Sequence, residues 1–419
     1  MKILILTIGS RGDVQPYVAL GRGIQQRGHA VTLCTGELFQ DMVTAHGLPF
    51  APMDDEMIRL TDSPEGRQMV EGGGNPLKAI NMVKPMIRRM MADIWQAAQS
   101  AQPDLIIYHP KTLGGYHAAE ALNVPVIMSL VLPMYTPTRE FALPLTTANL
   151  GGAFNRLTYR LVPLISAPYS SVVNEFRQEL GLKPRGKVMD ETKLPNGRPT
   201  PTMYGYSSHV VPRPADWPPT TVATGYWFLP PDETWQPPDD LAAFLQAGPP
   251  PVYVGFGSMA GTQPERLADT AVQAIQQAGQ RGILATGWGG LKPGDLPETI
   301  FKLESAPHDW LFERVTAVVH HGGSGTTAAG LRAGKPSLIC PFIGDQSFWG
   351  ERVYRLGAGP KPIKQKQLTA VRLSAAITEM VGSPVMRQKA EAIGRALCAE
   401  DGLGNAIRFI EQTAGNVGF

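Results

Sequence analysis

The chain has 419 residues, of which 43% are hydrophobic and 18% charged, and its formal net charge is +2. That length is more than one core usually serves, so two domains are expected, and the near-neutral balance argues against an obligate nucleic-acid partner, which usually meets a concentrated basic face. The three cysteines, Cys34, Cys340 and Cys398, are far apart and odd in number, which fits a reducing compartment and excludes a disulfide or zinc framework.

Residues 2–8 form a continuous apolar run of strand length. It breaks at Gly9 and meets Arg11 and Asp13, too soon for the apolar core of a signal peptide, and no later apolar run is long enough to span a bilayer. A cytoplasmic protein is therefore expected. A helix follows over about 15–27, stopped by Gly28, and then a strand over 29–35. This is a βαβ opening of a parallel, doubly wound α/β sheet. It continues through a strand at 104–110, a helix to 122 and a strand at 124–130.

Two stretches between and after these units combine apolar and basic residues. Residues 77–98 carry spaced Met, Ile and Trp with Lys84, Arg88 and Arg89, and residues 154–165 mix Leu, Val, Phe and Tyr with Arg156 and Arg160. Each reads as a basic amphipathic helix that either packs on its own core or touches the inner face of a membrane peripherally.

Between Val211 and Pro251 lie eleven of the chain's 38 prolines. Proline removes backbone donors, so few regular elements are expected there. The stretch marks a division into a first domain over 1–210, a linker over 211–250 and a second domain over 251–403, with a C-terminal helix over 404–419. The second domain opens with the strand PVYVGFGSM, a helix over 264–280 and the strand RGILATG.

Its most informative stretch runs from Val318 to Glu351. It reads as a strand ending in His320 and His321, a glycine-rich turn, a helix, a second strand and a polar loop with Asp345 and Gln346. The turn over 322–327 sets free backbone N–H groups and the positive end of a helix dipole at a strand's carboxyl end, where an anion such as phosphate fits. His321, Ser324, Thr326 and Thr327 add donors.

Four further loops follow strands and face the cleft expected between two α/β halves. In GSRGDVQP, Asp13 is the one acid, either a general base or a carboxylate that complements a helix start. GFGSMAG is one residue too long for the dinucleotide fingerprint. ATGWGGL sets Trp288 among glycines, and SAPHDWLF carries His308, Asp309 and Trp310. HGGSGTT is not a nucleophile elbow, because Thr326 stands where the second glycine belongs. The chain has no Walker loop, no Asp-x-Asp and no His or carboxylate pair at metal-helix spacing, so helix ends, hydroxyls and histidine must meet the phosphate charge.

These blocks resemble the family 1 nucleotide-sugar glycosyltransferases, most closely their sterol glucosyltransferase branch. The resemblance rests on GSRGDVQPYVALG, TGYWFLP, GFGSM, GWGGL, PHDWLF, HHGGSGTTAAGLRAGKPS and PFIGDQSFWGERV, in that order. Residues from about 54 to 205 match only diffusely, and that is where acceptors bind in the family. The resemblance implies a GT-B fold, two Rossmann-like domains facing across a cleft, with the C-terminal helix crossing back to the first domain. It implies Asp13 as catalytic base. It also implies His321, Gly323, Ser324, Gly325 and Thr326 as the grip on the nucleotide diphosphate, with Ser258 as a further phosphate contact. Asp345 and Gln346 would bind the hexose hydroxyls, and His308 closes the segment that holds the base. Plant members carry tryptophan at the position of Ser305 and glutamate at that of Ala329, so base stacking is expected from Trp288 or Trp310.

The implied reaction is an inverting transfer that uses neither metal nor cofactor. A hexose, glucose from UDP-glucose, moves to a hydrophobic acceptor such as a sterol. A TDP-sugar or a polyketide, carotenoid or hydroxy-lipid acceptor is the alternative within transferases. A UDP-sugar epimerase and a non-catalytic lipid binder are the readings outside them. Since a carboxylate is a weak base, burial or a second group is expected to raise the pKa of Asp13.

Overall fold

The computed structural model describes residues 1–62, 76–257, 263–287 and 291–415. Two parallel sheets organise them. The first, in spatial order β3-β2-β1-β4-β5-β6-β7, is built from β1 (Lys2–Leu6), β2 (Ala30–Gly36), β3 (Phe50–Met53), β4 (Leu105–Tyr108), β5 (Val126–Leu130), β6 (Thr202–Tyr204) and β7 (Thr221–Ala223). The second, in order β10-β9-β8-β11-β12, is built from β8 (Val252–Gly255), β9 (Gly282–Ala285), β10 (Ile300–Leu303), β11 (Ala317–His320) and β12 (Ser337–Ile339). Helices cover both faces of each sheet. The central strands are therefore buried on both sides and read as unbroken apolar runs, as β1 and β4 do.

Strand order reverses between β1 and β4 in the first sheet and between β8 and β11 in the second. The registers Leu6↔Tyr108 and His320↔Gly255 bring the carboxyl ends of each pair level. In open α/β sheets ligands bind outside the strand ends at such a reversal. The loops after β1, β4, β8 and β11 are thereby selected by topology alone.

Three expectations about elements change. The first helix spans Arg11–Gln26 with Pro16 inside it, not 15–27, which moves Asp13 from a loop into the first helical turn. The proline-rich stretch read as a linker contributes β7 to the first sheet, and its helix Asp239–Gln246 seats Leu241 in the core around Tyr253 and Ile283 of the second. The stretch 77–98 lies within the helix Pro76–Ala101, whose Met86, Ile87, Met90, Met91 and Ile94 are buried in the core of the first domain. Its arginines are consumed internally: Arg88 pairs with Glu175 and Glu179, and Arg89 with Asp54 and Glu56.

The final helix, Gly402–Ala414, is capped by Asp401, whose carboxylate accepts the Gly404 N–H at 2.8 Å. It buries Ala406, Ile407 and Ile410 in the same cluster as Ile3, Tyr17 and Ile24 of the first domain. Gly402 permits the approach, since a Cβ there would lie 2.3 Å from the Tyr226 carbonyl oxygen. Glu411 at the far end meets the His29 ring at 3.1 Å. The domains also touch directly: Ser324 Oγ donates to the Val131 carbonyl at 3.2 Å, and the Phe141 and Phe348 rings lie 5.6 Å apart.

Among the described residues no helix is long and apolar enough to cross a membrane. Cys34 and Cys340 are buried and Cys398 is exposed, all as free thiols.

Candidate active site

The first-domain side of the site is one half-buried carboxylate and the groups that hold it. Asp13 occupies the third position of its helix, where a carboxylate reaches back to satisfy the amide of the capping residue. Its Oδ2 accepts the Ser10 N–H at 2.9 Å and the Ser10 hydroxyl at 3.2 Å, and its Oδ1 takes the Lys111 ammonium at 2.7 Å. Gly9 has φ +143°, and a Cβ on it would fall 2.2 Å from Asp13 Oδ2, so only glycine lets the chain turn here. Lys111 comes from the loop after β4, as does His109, whose Nδ1 accepts the Lys111 N–H at 3.1 Å.

These neighbours decide the charge of Asp13. Burial pushes its pKa up, but Lys111, His109 and the Ser10 amide outweigh burial and hold it below the ordinary carboxylate range. That corrects the expected upward shift: the second group beside Asp13 is a cation, which favours the ionised form. Burial and the Lys111 charge in turn push His109 down to about 3, so it is neutral at neutral pH. Nothing local in the sequence marks Lys111 or His109. The signal lies in their position just after β4, the strand that pairs with β1 across the reversal.

On the second-domain side, β11 ends in His320, fully buried, whose Nδ1 accepts the Gly322 N–H at 3.1 Å. Gly322 follows at φ +97°, and a Cβ there would strike Ile339 at 2.6 Å. Gly323 is the N-cap of the helix Ser324–Arg332 and, lacking a side chain, leaves the first-turn amides of Ser324, Gly325 and Thr326 without a side-chain acceptor. His321 stands at this helix end: a Cβ on Gly323 would lie 2.6 Å from its Nε2, and its buried Nδ1 has no partner. Burial lowers the His321 pKa to about 4, so it offers a neutral N–H donor instead of a cation. The Thr327 hydroxyl is turned back onto the Gly323 carbonyl at 2.9 Å.

Asp345 is the N-cap of the helix Gln346–Arg355, and its Oδ2 accepts the Trp349 indole N–H at 2.8 Å. Burial raises its pKa, and the negative charge of Asp13 raises it further, so the two carboxylates sense each other across the cleft. Gln346 spends its carbonyl oxygen on the Phe342 and Ile343 amides at 2.7 and 3.2 Å, which pins the loop that carries Asp345.

His308 begins the helix His308–Phe312 and stacks on Phe312 at 4.4 Å. Burial, with repulsion from Arg11 and His321, lowers its pKa to about 4. Arg11 belongs to the first domain, so His308, His321 and the Asp13 helix converge at the cleft. Trp310 is engaged elsewhere: its ring meets Trp235 edge-on at 4.9 Å, and the Arg314 guanidinium covers its face at 4.2 Å. Ser258 and Trp288 lie outside the described residues. Among the described residues no cluster of three or more His, Cys, Asp or Glu side chains is arranged to hold a metal ion.

The site thus joins an ionised carboxylate, an anion cradle of amides with a neutral imidazole, and a second, protonation-prone carboxylate. Pairs of carboxylates driven apart in pKa commonly divide acid, base and binding roles.

Comparison with known proteins bears on the family and the fold. Residues 3–139 match the glycosyltransferase family 28 N-terminal domain, and residues 290–401 match the erythromycin biosynthesis protein CIII-like C-terminal domain. Two sterol 3-beta-glucosyltransferases of Arabidopsis thaliana are 37% and 38% identical over 97% of this chain, which spans 65% and 67% of their own lengths. A sterol 3-beta-glucosyltransferase of Aspergillus terreus is 39% identical over 98% of the chain, which spans 30% of that protein. The chain therefore covers about two thirds of the plant relatives and under a third of the fungal one. Among solved structures, the glycosyltransferase of kitacinnamycin superposes with TM-score 0.73 at 20% identity, covering 98% of both chains. The calicheamicin glycosyltransferase superposes with TM-score 0.72 at 21% identity, covering 99% of this chain and 98% of that one. At such identities the likeness is one of fold.

Proposed function

The chain belongs to the glycosyltransferase family of the sterol 3-beta-glucosyltransferases, and on that premise we propose that it moves glucose from UDP-glucose to the hydroxyl of a flat hydrophobic alcohol such as a sterol. Its fold is the GT-B fold, two Rossmann-like domains with the ligand cleft between their strand ends.

The observation that carries the reading is the Asp13–Lys111 pair at one reversal point, facing the His321 turn at the other. Lys111 and Ser10 occupy part of the Asp13 carboxylate, and a carboxylate has about four lone-pair sites, so it can still accept the acceptor's O–H. In the proposed step the alcohol oxygen bonds to the anomeric carbon while its proton passes to Asp13. The bond from that carbon to the diphosphate oxygen breaks on the opposite face, which inverts the configuration. A positioned base of this kind contributes ~10² to 10⁴ in rate. Lys111 keeps Asp13 in the form that accepts a proton, at the cost of lower basicity.

Charge then accumulates on the departing diphosphate. The amides at the start of helix Ser324–Arg332 and the His321 N–H meet it without metal, an arrangement in which one donor is worth ~10²- to 10³-fold. Asp345 and Gln346 bind the hexose, Asp345 through the carboxylate oxygen not committed to Trp349. The sterol acceptor is favoured over polyketide or carotenoid acceptors because relatives at 37–39% identity carry that activity in their names. The antibiotic glycosyltransferases bear on fold alone, and TDP-sugars are favoured by nothing beyond them.

The test is product mass spectrometry after incubation with UDP-glucose, a panel of sterols and other lipophilic alcohols, and a chelator. A steryl glucoside from wild type is expected, with transfer reduced ~10²- to 10⁴-fold in Asp13→Asn and UDP affinity by calorimetry unchanged. Wild-type turnover of UDP-glucose to an isomer without any acceptor would replace the reading with an epimerase. Undiminished transfer by Asp13→Asn would remove Asp13 as the base.

A further inference from the structure

The segment over residues 152–169 turns its apolar stripe outward. It is made of the helices Gly152–Thr158 and Val162–Ser166 with 3-10 turns at Tyr159–Leu161 and Ala167–Tyr169. Leu157, Leu161, Leu164 and Ile165, at helical spacing, are 53%, 55%, 49% and 48% exposed. The inward face is Asn155, Thr158, Tyr159 and Val162, all buried. Two of its side chains tie it to the chain beneath: Asn155 Nδ2 donates to the Arg139 carbonyl at 2.9 Å, and Thr158 Oγ1 accepts the Leu143 N–H at 2.8 Å. Leu145 and Leu150, in the loop that packs against this helix, are 50% and 75% exposed. Soluble surfaces scatter large apolar side chains singly, and a contiguous group signals something that covers it.

Charge identifies the cover. Between Glu140 and Glu175 the sequence holds no Asp or Glu, and its two charges are Arg156 and Arg160. Both are exposed and neither forms an ion pair among the described residues. The contrast with helix Pro76–Ala101 is direct, since the arginines there are neutralised by four carboxylates and its apolar face is inside the core. A helical face with half-exposed leucines, flanked by unpaired arginines and with no acid in its own stretch of chain, matches the interface of an anionic bilayer. The leucines would enter the acyl boundary and the guanidinium groups would meet lipid phosphates.

We infer that the segment 152–169 docks the protein, without spanning, on the surface of a bilayer containing anionic phospholipid. This goes beyond the transfer reading, and it is tested by binding alone, so either can fail without the other.

The purified full chain is floated with vesicles of phosphatidylcholine, or of phosphatidylcholine mixed with phosphatidylglycerol. Wild type is compared with Leu157→Ser/Leu161→Ser/Leu164→Ser and with Arg156→Glu/Arg160→Glu, and circular dichroism melts confirm that each variant is folded. Wild type is expected to partition onto the mixed vesicles and to be released by salt. The leucine variant should bind them roughly tenfold more weakly or worse. The arginine variant should lose about tenfold or more on the mixed vesicles and little on phosphatidylcholine alone. Wild type that stays in the soluble fraction with both vesicles, or variants that float as wild type does, would overturn the inference. So would sedimentation showing a wild-type dimer that the leucine variant converts to monomer, which would assign the face to a second copy of the chain.

Discussion

At the scale of single residues, the proposed chemistry rests on Asp13 and the Lys111 ammonium paired with it. Asp13 was visible in the sequence as the one acid of a strand-end loop, but two roles stayed open for it, base or helix-start carboxylate. The structure gives it the geometry of the second, through the Ser10 amide, while leaving it exposed to the cleft charge of Asp345. Lys111 was not legible, because a cation after a strand means nothing until that strand is known to pair with β1. The consequence is testable through pH. The folded pKa of Asp13 is lowered, so its base form survives to pH values below the ordinary carboxylate range and the acid limb of kcat/KM should lie low. In Lys111→Met burial is left to dominate, and the acid limb is expected to move to higher pH. An unmoved limb would mean that Lys111 does not set the charge of Asp13.

At the scale of elements, the turn and helix around Ser324 were readable because their signals are local. A buried strand, two glycines and a run of hydroxyls specify a strand-to-helix corner with free amides whatever surrounds it. The start of the first helix was misplaced because proline favours a first turn, and Pro16 suggested that boundary. The Ser10–Asp13 reciprocal contact instead starts the helix at Arg11. The last helix is the element through which the chain's end is fixed to its beginning. Ile407 sits in the first-domain cluster, its Cδ1 only 3.1 Å from where a Cβ on Gly23 would be. Ile407→Ala is expected to cost ~2–5 kcal/mol in urea unfolding, the usual price of a large-to-small change in a packed core. A change under about 0.5 kcal/mol, typical of surface sites, would show that the helix is not packed there.

For the whole molecule, the buried titratable groups set a stability profile. His109 and His117 have folded pKa values near 3, and His308 and His321 near 4, all pushed down from 6.5 chiefly by burial. Below pH 6.5 the unfolded chain binds more protons than the folded one. Their contribution is thus present above 6.5 and lost as pH falls towards 4 and then 3, on the order of a few kcal/mol each for the buried rings of His109 and His117 and less for the partly exposed His308 and His321. Glu191 runs the other way. Burial raises it to about 7 from 4.5, so its contribution is present below 4.5 and lost as pH rises through 7. Between 4.5 and 6.5 the one carboxyl offsets one of the four histidines, so the urea midpoint is expected to fall through that interval and most steeply between pH 4.5 and 4. Glu191→Gln should remove that offset, so that stability falls more steeply than in wild type between pH 6.5 and 4.5. A variant whose pH profile parallels wild type would show that Glu191 titrates normally in the fold.

The same scale separates what the sequence determined from what it could not. Strand runs, helix periodicity, the glycine turn and the Asp-Gln loop are fixed by neighbours within a few residues, so the α/β class and the strand–turn–helix corner at Ser324 could be read directly. Strand order, the partner of Asp13, the sign of its pKa shift and the outward face of 152–169 depend on groups tens to hundreds of residues apart. Burial and Coulomb interactions act through space, and only the folded chain sets those distances.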